Sequence, residues 1–296
     1  MRGFVMDVSS QKDRSSALVA FGVVQLAIAA GCATLLFTSA MRYERAASAG
    51  VTVSSSALAS SVFVWGAAAT YFAAAGIGSM RARRWARALS VAVSGLWLAG
   101  GVAGTIAVAI LLPRLPSATA PLRTLLICAA VLIALPLVLF KFYNRLDVGI
   151  TCDRRDPGLA WTDRVPLPVL ALIVVMIVAA LWLLVNLGRP VVPVFGTLLT
   201  GAAAPIAMLA IAGLCGNVAV QLYRLKESAW WTLVLLQVGG CAVTLAAMLR
   251  AEGAMINQPL VMAFTVATWL AYFAFLGYVR RYFVGGRAGR PLAATA

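Results

Sequence analysis

Histidine is absent from the 296 residues. That removes the usual ligand for zinc, copper and haem or non-haem iron, and the commonest general base near neutral pH. Charge is scarce too: 11% of residues are charged, against about 25% in soluble domains. Acids are scarcer still, nine against 24 Lys and Arg, and none lies well inside a long apolar run. Ionisable groups within membrane helices are the default mark of proton relays and ion-coupled transport, so their absence argues against a proton-driven pump or antiporter. Lys12, Lys141 and Lys226 also lie away from the run centres, which argues against a retinal pigment. The five cysteines include no CxxC, and four of them (Cys32, Cys128, Cys215, Cys241) sit in apolar runs as small hydrophobes, so no disulfide framework is expected. No Walker loop, GxGxxG before a helix, HExxH or GxSxG occurs. The segments between runs are too short to house a nucleotide-binding domain.

Apolar residues, by contrast, are abundant: 62% of the chain, with a mean hydropathy of +0.95. A soluble protein of this size would have too little polar surface to cover its core, so the solvent must be a bilayer. Eight runs are read as transmembrane helices, approximately Ala17–Met41, Ala57–Met80, Ala88–Leu112, Leu125–Tyr143, Pro168–Leu187, Val192–Leu222, Trp230–Leu249 and Pro259–Tyr278. About 20 residues at 1.5 Å each cross a hydrocarbon core of roughly 30 Å. The sixth is long enough to tilt or to begin as an interfacial stretch before Gly196. The first is too long for a signal-peptide core of about 7–15 residues and is read as retained, with cleavage after Thr38-Ser39-Ala40 as the alternative.

The formal charge of +15 points to membrane topology rather than nucleic acid. Basic residues stand at the ends of runs, where they meet anionic headgroups, and no sizeable polar domain exists to bind nucleic acid. With the N-terminus inside, interior segments hold 18 of the 24 Lys and Arg. The exterior ones hold only Arg42, Arg45, Arg114, Arg123, Arg189 and Arg250. That bias alternates through every loop, as eight helices with both termini cytoplasmic require. Trp85, Trp161, Trp230 and Trp231 fall where runs meet basic loops and suit headgroup depth. Trp65, Trp97, Trp182 and Trp269 lie deeper and are read as packing residues.

Two short basic turns, Met80 to Arg87 and Leu222 to Trp230, follow small-residue runs and precede glycine pairs, Gly100-Gly101 and Gly239-Gly240. The expected architecture is therefore an all-α polytopic bundle of two parallel four-helix halves, 1–143 and 166–296, joined by a cytoplasmic linker, 144–165. Against duplication stands the fact that no single offset aligns both the turns and the glycine pairs. Gly100 and Gly104 form a GxxxG, and Ala69/Ala73 and Ala212/Gly216 share the spacing, which permits close helix approach. Pro136 and Pro205 fall inside the fourth and sixth runs as kink candidates.

The linker is the longest internal polar stretch. Asp156-Pro157-Gly158 is turn chemistry, and Thr162 or Asp163 can cap the fifth helix with Pro166 near its first turn. Cys152, Asp153, Asp156 and Asp163 make a poor metal site without His and amid Arg154, Arg155 and Arg164, and neither a metal nor another cofactor is expected. Ion pairing that folds the linker onto the membrane surface is the leading expectation. A docking surface made of Asp153, Arg154, Arg155, Asp156, Trp161, Asp163 and Arg164 is the alternative. The string Thr151-Cys152, Asp156-Pro157, Trp161-Thr162-Asp163-Arg164 and Pro166-Leu167-Pro168 resembles the linker of uncharacterised polytopic bacterial membrane proteins. The resemblance covers under a tenth of the chain and implies a bacterial inner-membrane setting but no activity.

Buried polar candidates are the amides Gln25, Asn186, Asn217, Gln221 and Gln237. Such groups serve as interhelical hydrogen-bond glue worth about 0.6–2 kcal/mol, or line a ligand cavity. Asn217 and Gln221 share a helix face. With Gln237 and Pro205 they form the candidate intramembrane site. Three functions stay open. The leading one is a non-catalytic accessory subunit packing with lipids, other membrane proteins or copies of itself. The alternatives are a carrier or channel for a neutral or lipid-like solute, and a lipid-active enzyme using Asp153, Asp156 or Asp163.

Overall fold

A segment crossing lipid must satisfy every backbone N–H and C=O internally, and twenty-odd apolar residues do so as a helix. The computed structural model describes residues 13–50, 55–111, 121–188, 192–194, 197–250 and 259–284. The helices are α1 Ser15–Ser48, α2 Ser55–Met80, α3 Arg84–Leu111, α4 Pro121–Ala129, α5 Leu135–Tyr143, α6 Leu146–Arg155, α7 Leu167–Val185, α8 Ala203–Tyr223, α9 Glu227–Arg250 and α10 Pro259–Val284. Among the described residues eight spans, with α4 and α5 merging into one, are long and apolar enough to cross a membrane. The chain is thus a multi-pass, all-α membrane protein.

Helices α4 and α5 are joined by a π segment, Ala130–Ala134. Pro136 has no N–H to give the Leu132 carbonyl four residues back. The ladder widens there, and the Leu135 N–H donates to Ala130 O, five residues back. Pro136 therefore sits where its span's hydrogen-bond ladder is loosened. Pro205 does not: it lies in the first turn of α8, where an N–H would have no helical partner anyway.

The sixth run does not begin as helix, and Gly196 itself lies outside the described residues. A short antiparallel pair, β1 Val192–Val194 and β2 Thr197–Leu199, sets Val192 opposite Leu199, and α8 begins only at Ala203. The cap expected for the fifth span is absent: Pro166 precedes α7 with no side-chain cap, while Thr162 and Asp163 belong to a 3₁₀ turn, Trp161–Arg164.

The most extensive helix pairs are α1 with α2 and α7 with α8. Glycine permits the first. A Cβ on Gly22 would lie 2.6 Å from Met80 Cγ and 2.8 Å from Gly76 O, and one on Gly76 would lie 2.8 Å from Gly22 O. In α3 the close contact is made by Gly101, whose Cβ would overlap the Leu132 carbonyl oxygen. The GxxxG partners Gly100 and Gly104 have no such contact: the first has open space and the second only Leu132 Cδ1 at 4.0 Å. Gly216, Gly239 and Gly240 also face open space.

Buried apolar side chains form two cores. One gathers Leu18, Phe72, Val91, Leu139 and Val148 from α1, α2, α3, α5 and α6. The other gathers Leu170, Val218, Leu233, Leu276 and Val279 from α7 to α10. Helix α3 belongs to both, offering Val91 to the first and Ala92, with Leu89 and Leu96, to the second.

Helices α2 and α8 end alike. Ala82 and Leu225 each adopt φ +51°. The N–H groups of Ala82 and Arg83 donate to Ser79 O and Gly78 O, and those of Leu225 and Lys226 donate to Leu222 O and Gln221 O. Both are Schellman caps with a non-glycine residue in the left-handed position.

Candidate functional site

Two polar assemblies lie on one side of the protein. The first is the linker. Its helix α6 turns Val148, Gly149, Thr151 and Cys152 inward and sends its carboxylates toward arginines of the N-terminal half. Asp147 Oδ2 lies 3.2 Å from Arg14 Nη2, Asp156 Oδ1 3.0 Å from Arg83 Nη1, and Arg155 Nη2 3.6 Å from Asp13 Oδ2. Arg84 Nε bridges Asp153 at 3.0 Å and Asp163 at 3.2 Å. Backbone bonds tighten the assembly: the Arg14 N–H donates to Thr151 Oγ1, the Arg84 N–H to Asp156 and the Ala160 N–H to Asp163. A single surface pair contributes about 0–1 kcal/mol, and networks contribute more. The chain before α1, the α2–α3 turn and the linker are thereby held together.

The hydrogen-bonded Arg14 guanidinium keeps the Asp147 carboxyl below its usual range. The Ser15 backbone N–H does the same for Asp13. Burial pushes the Cys152 thiol up to about 11, against a smaller opposing pull from Arg87. Of the remaining docking candidates, Arg154 and Arg164 are exposed. Trp161 is half-exposed, and its carbonyl accepts the Tyr223 hydroxyl at 3.5 Å. Among the described residues no cluster of three His, Cys, Asp or Glu could hold a metal.

The second assembly is buried where α1, α2, α3 and α5 meet. Gln25 is its hub. The Gln25 Nε2 group donates to Ser90 Oγ at 3.1 Å, while Oε1 accepts from Ser79 Oγ and Tyr143 OH, both at 3.1 Å. The hydroxyls of Tyr143 and Ser79 are 2.8 Å apart. Gln25 and Ser79 are each 1% exposed, Ser90 2% and Tyr143 0%. Beside it the Arg87 Nε–H donates to the Tyr143 carbonyl at 3.1 Å, with its guanidinium flat against Gly149. Gln25 is one of the amides singled out from sequence; Ser79, Ser90 and Tyr143 were not, because serine and tyrosine are too common in such runs to stand out.

The other amides lie elsewhere. Asn217 is on the exposed face of α8. Gln221 Oε1 accepts the Ser228 hydroxyl at 2.8 Å, and Gln237 Nε2 lies 3.5 Å from Cys241 Sγ one turn on. Asn186, at the end of α7, donates to Trp182 O and accepts the Ser60 hydroxyl of α2 at 3.2 Å. Just inside that contact an apolar cleft of ≈ 810 Å³ opens between α2 and α7, lined by residues such as Leu58, Val62, Gly66, Ala67, Leu181 and Val185.

No family model, no curated protein and no solved structure matches the chain.

Proposed function

We propose that the chain is a non-catalytic subunit of the bacterial inner membrane, both termini cytoplasmic, that packs against other membrane proteins, with the α2–α7 cleft as the contact. The cleft carries this reading. It has an almost wholly apolar lining, opens sideways between two spans and is walled on one side by the small residues Ala59, Gly66 and Ala67 of α2, which let a neighbouring helix approach closely. The groups with chemistry to offer are occupied meanwhile. The linker carboxylates hold arginines, and the buried amide and hydroxyls hold one another.

Extraction in a mild detergent should yield an assembly larger than one 31.0 kDa chain. Ala67→Trp, which fills the cleft, should break it, while Leu235→Trp at an already exposed position of α9 should not. A lone monomer with a measurable turnover would sink the reading. Orientation is tested separately by fusing green fluorescent protein to the carboxyl end, which is expected to fluoresce.

A carrier for a neutral or lipid-like solute is the second reading, favoured by the recurrence of the α2–α3 turn at α8–α9. We read that recurrence as a parallel duplication, an arrangement that suits alternating access. Solute flux into proteoliposomes, abolished by Asn217→Leu, Gln221→Leu or Gln237→Leu, would support it; solid packing around those amides would exclude it.

A further inference from the structure

The basic residues on the face that carries the linker fall into two groups, one held by carboxylates and one not, the second including Arg81 and Lys141 as well as residues of the second half. Arg14, Arg83 and Arg84 of the first half and Arg145 and Arg155 of the linker lie within 3.9 Å of a carboxylate. In the second half Arg224, Lys226 and Arg280 are exposed and form no ion pair among the described residues. Glu227 is the acid described beside them, and it is exposed and likewise unbridged.

An aromatic ring holds Arg280 instead, and rings hold its neighbour Arg281. Arg280 sits over the Trp230 ring at 5.1 Å, and Trp230 is itself fixed by an Nε1–H bond to Leu276 O. Arg281 lies 3.9 Å from the Tyr278 ring centroid and 4.9 Å from that of Tyr282. A π face positions a guanidinium without cancelling its charge. The Arg280–Trp230 contact also joins the end of α10 to the turn that carries Arg224 and Lys226. The patch stands at the ends of three membrane spans, and Trp231 and Tyr278 beside it are 50% and 49% exposed, as aromatic side chains at headgroup depth are.

We infer that Arg224, Lys226 and Arg280, braced by Trp230, form a binding site for an anionic phospholipid headgroup on the second half of the protein. A phosphodiester suits it in charge and in depth, and a guanidinium held in place grips phosphate oxygens through paired N–H donors. The inference does not depend on the packing role proposed above. An acidic segment of a partner protein is the competing occupant, but the membrane-edge position and exposed rings favour lipid.

The delipidated full chain in uncharged detergent micelles is titrated with phosphatidylglycerol and, separately, phosphatidylcholine, and bound lipid is counted by native mass spectrometry. The wild type should retain phosphatidylglycerol in preference. Lys226→Gln/Arg280→Gln should bind it about 30-fold more weakly, the fold-change implied by removing two basic groups near an anionic surface. Arg42→Gln/Arg45→Gln, with the same charge change at the far end of α1, should bind as the wild type does. Equal weakening of both variants, or of neither, overturns the site. So does saturation by inorganic phosphate alone, which would identify a free anion as the ligand. Should the double variant not fold, Lys226→Gln alone should show a loss of about fivefold on the same readout, and no loss counts against the site.

Discussion

Replacing Gly101 with alanine puts a methyl group where the Leu132 carbonyl oxygen already sits. The obstacle is backbone, and it belongs to the π segment that Pro136 imposes, so no rotamer change relieves it. Either α3 backs away from α4 and α5, or the π segment rewinds at the cost of its hydrogen bonds. Overpacking of this kind costs about 1–3 kcal/mol, and a rigid obstacle places it at the upper end. Alanine gains about 0.5–1 kcal/mol over glycine within a helix, which leaves a net loss of about 2–2.5 kcal/mol. The neighbouring Gly100 supplies the control. Nothing lies within 4 Å of its would-be Cβ, so Gly100→Ala keeps the propensity gain and should stabilise by up to about 1 kcal/mol. Thermal unfolding of both variants in one detergent should move their midpoints in opposite directions. Equal midpoints, or a more stable Gly101→Ala, would refute the close contact and with it the packing of α3 on the loosened span.

Further outcomes follow from the two polar assemblies. Gln25→Leu strips Ser79, Ser90 and Tyr143 of their common partner and should lower stability by about 1–3 kcal/mol. Gln25→Leu/Ser79→Ala/Tyr143→Phe, which also removes two of the three stranded hydroxyls, should recover part of that loss in the same unfolding assay. Asp13 and Asp147 titrate lower in the folded chain than their ordinary value of 3.8, so their contribution is complete above that value and vanishes as pH falls through the lower folded ones. Amide exchange across 146–155, corrected for intrinsic rate, should therefore be slow and steady down to about pH 4 and accelerate below it. Asp147→Asn should show faster exchange already at neutral pH. In a variant whose sole cysteine is Cys152, burial and a thiol pushed up to about 11 should make maleimide labelling at pH 7.5 slow until the chain is unfolded. A variant with its sole cysteine placed at the exposed Asp153 should label at once.

The spans were legible because a bilayer leaves so few alternatives: run length and alternating arginines locate helices without any knowledge of their partners. What depends on partners was not legible. Gly100 and Gly101 are indistinguishable in sequence, and only the position of Leu132 makes the second the contact. Helix α6 was read as part of a linker because Gly149, Ile150 and Thr151 are weak helix formers, although Asp147 in its first turn and Arg154 and Arg155 in its last are helix-end signals. The inward set Val148, Thr151 and Cys152 does follow helical spacing, a signal available but faint over ten residues. The ion pairing expected of the linker is present, and its partners, Arg14, Arg83 and Arg84, come from segments far away in sequence. The Gln25 cluster could be read only at its hub, since hydroxyls matter there by meeting in space.

Because α3 serves both cores, it is finished late. The ribosome delivers α7 more than fifty residues after the end of α3. In that interval the first four spans and α6 can close around Gln25 and the arginine clamp, while Ala92, Leu89 and Leu96 still face lipid tails. A chain halted before Leu167 should therefore be a folded intermediate with a greasy flank. Assembly of the remainder is then a docking event in which that flank exchanges acyl chains for α7 and α10.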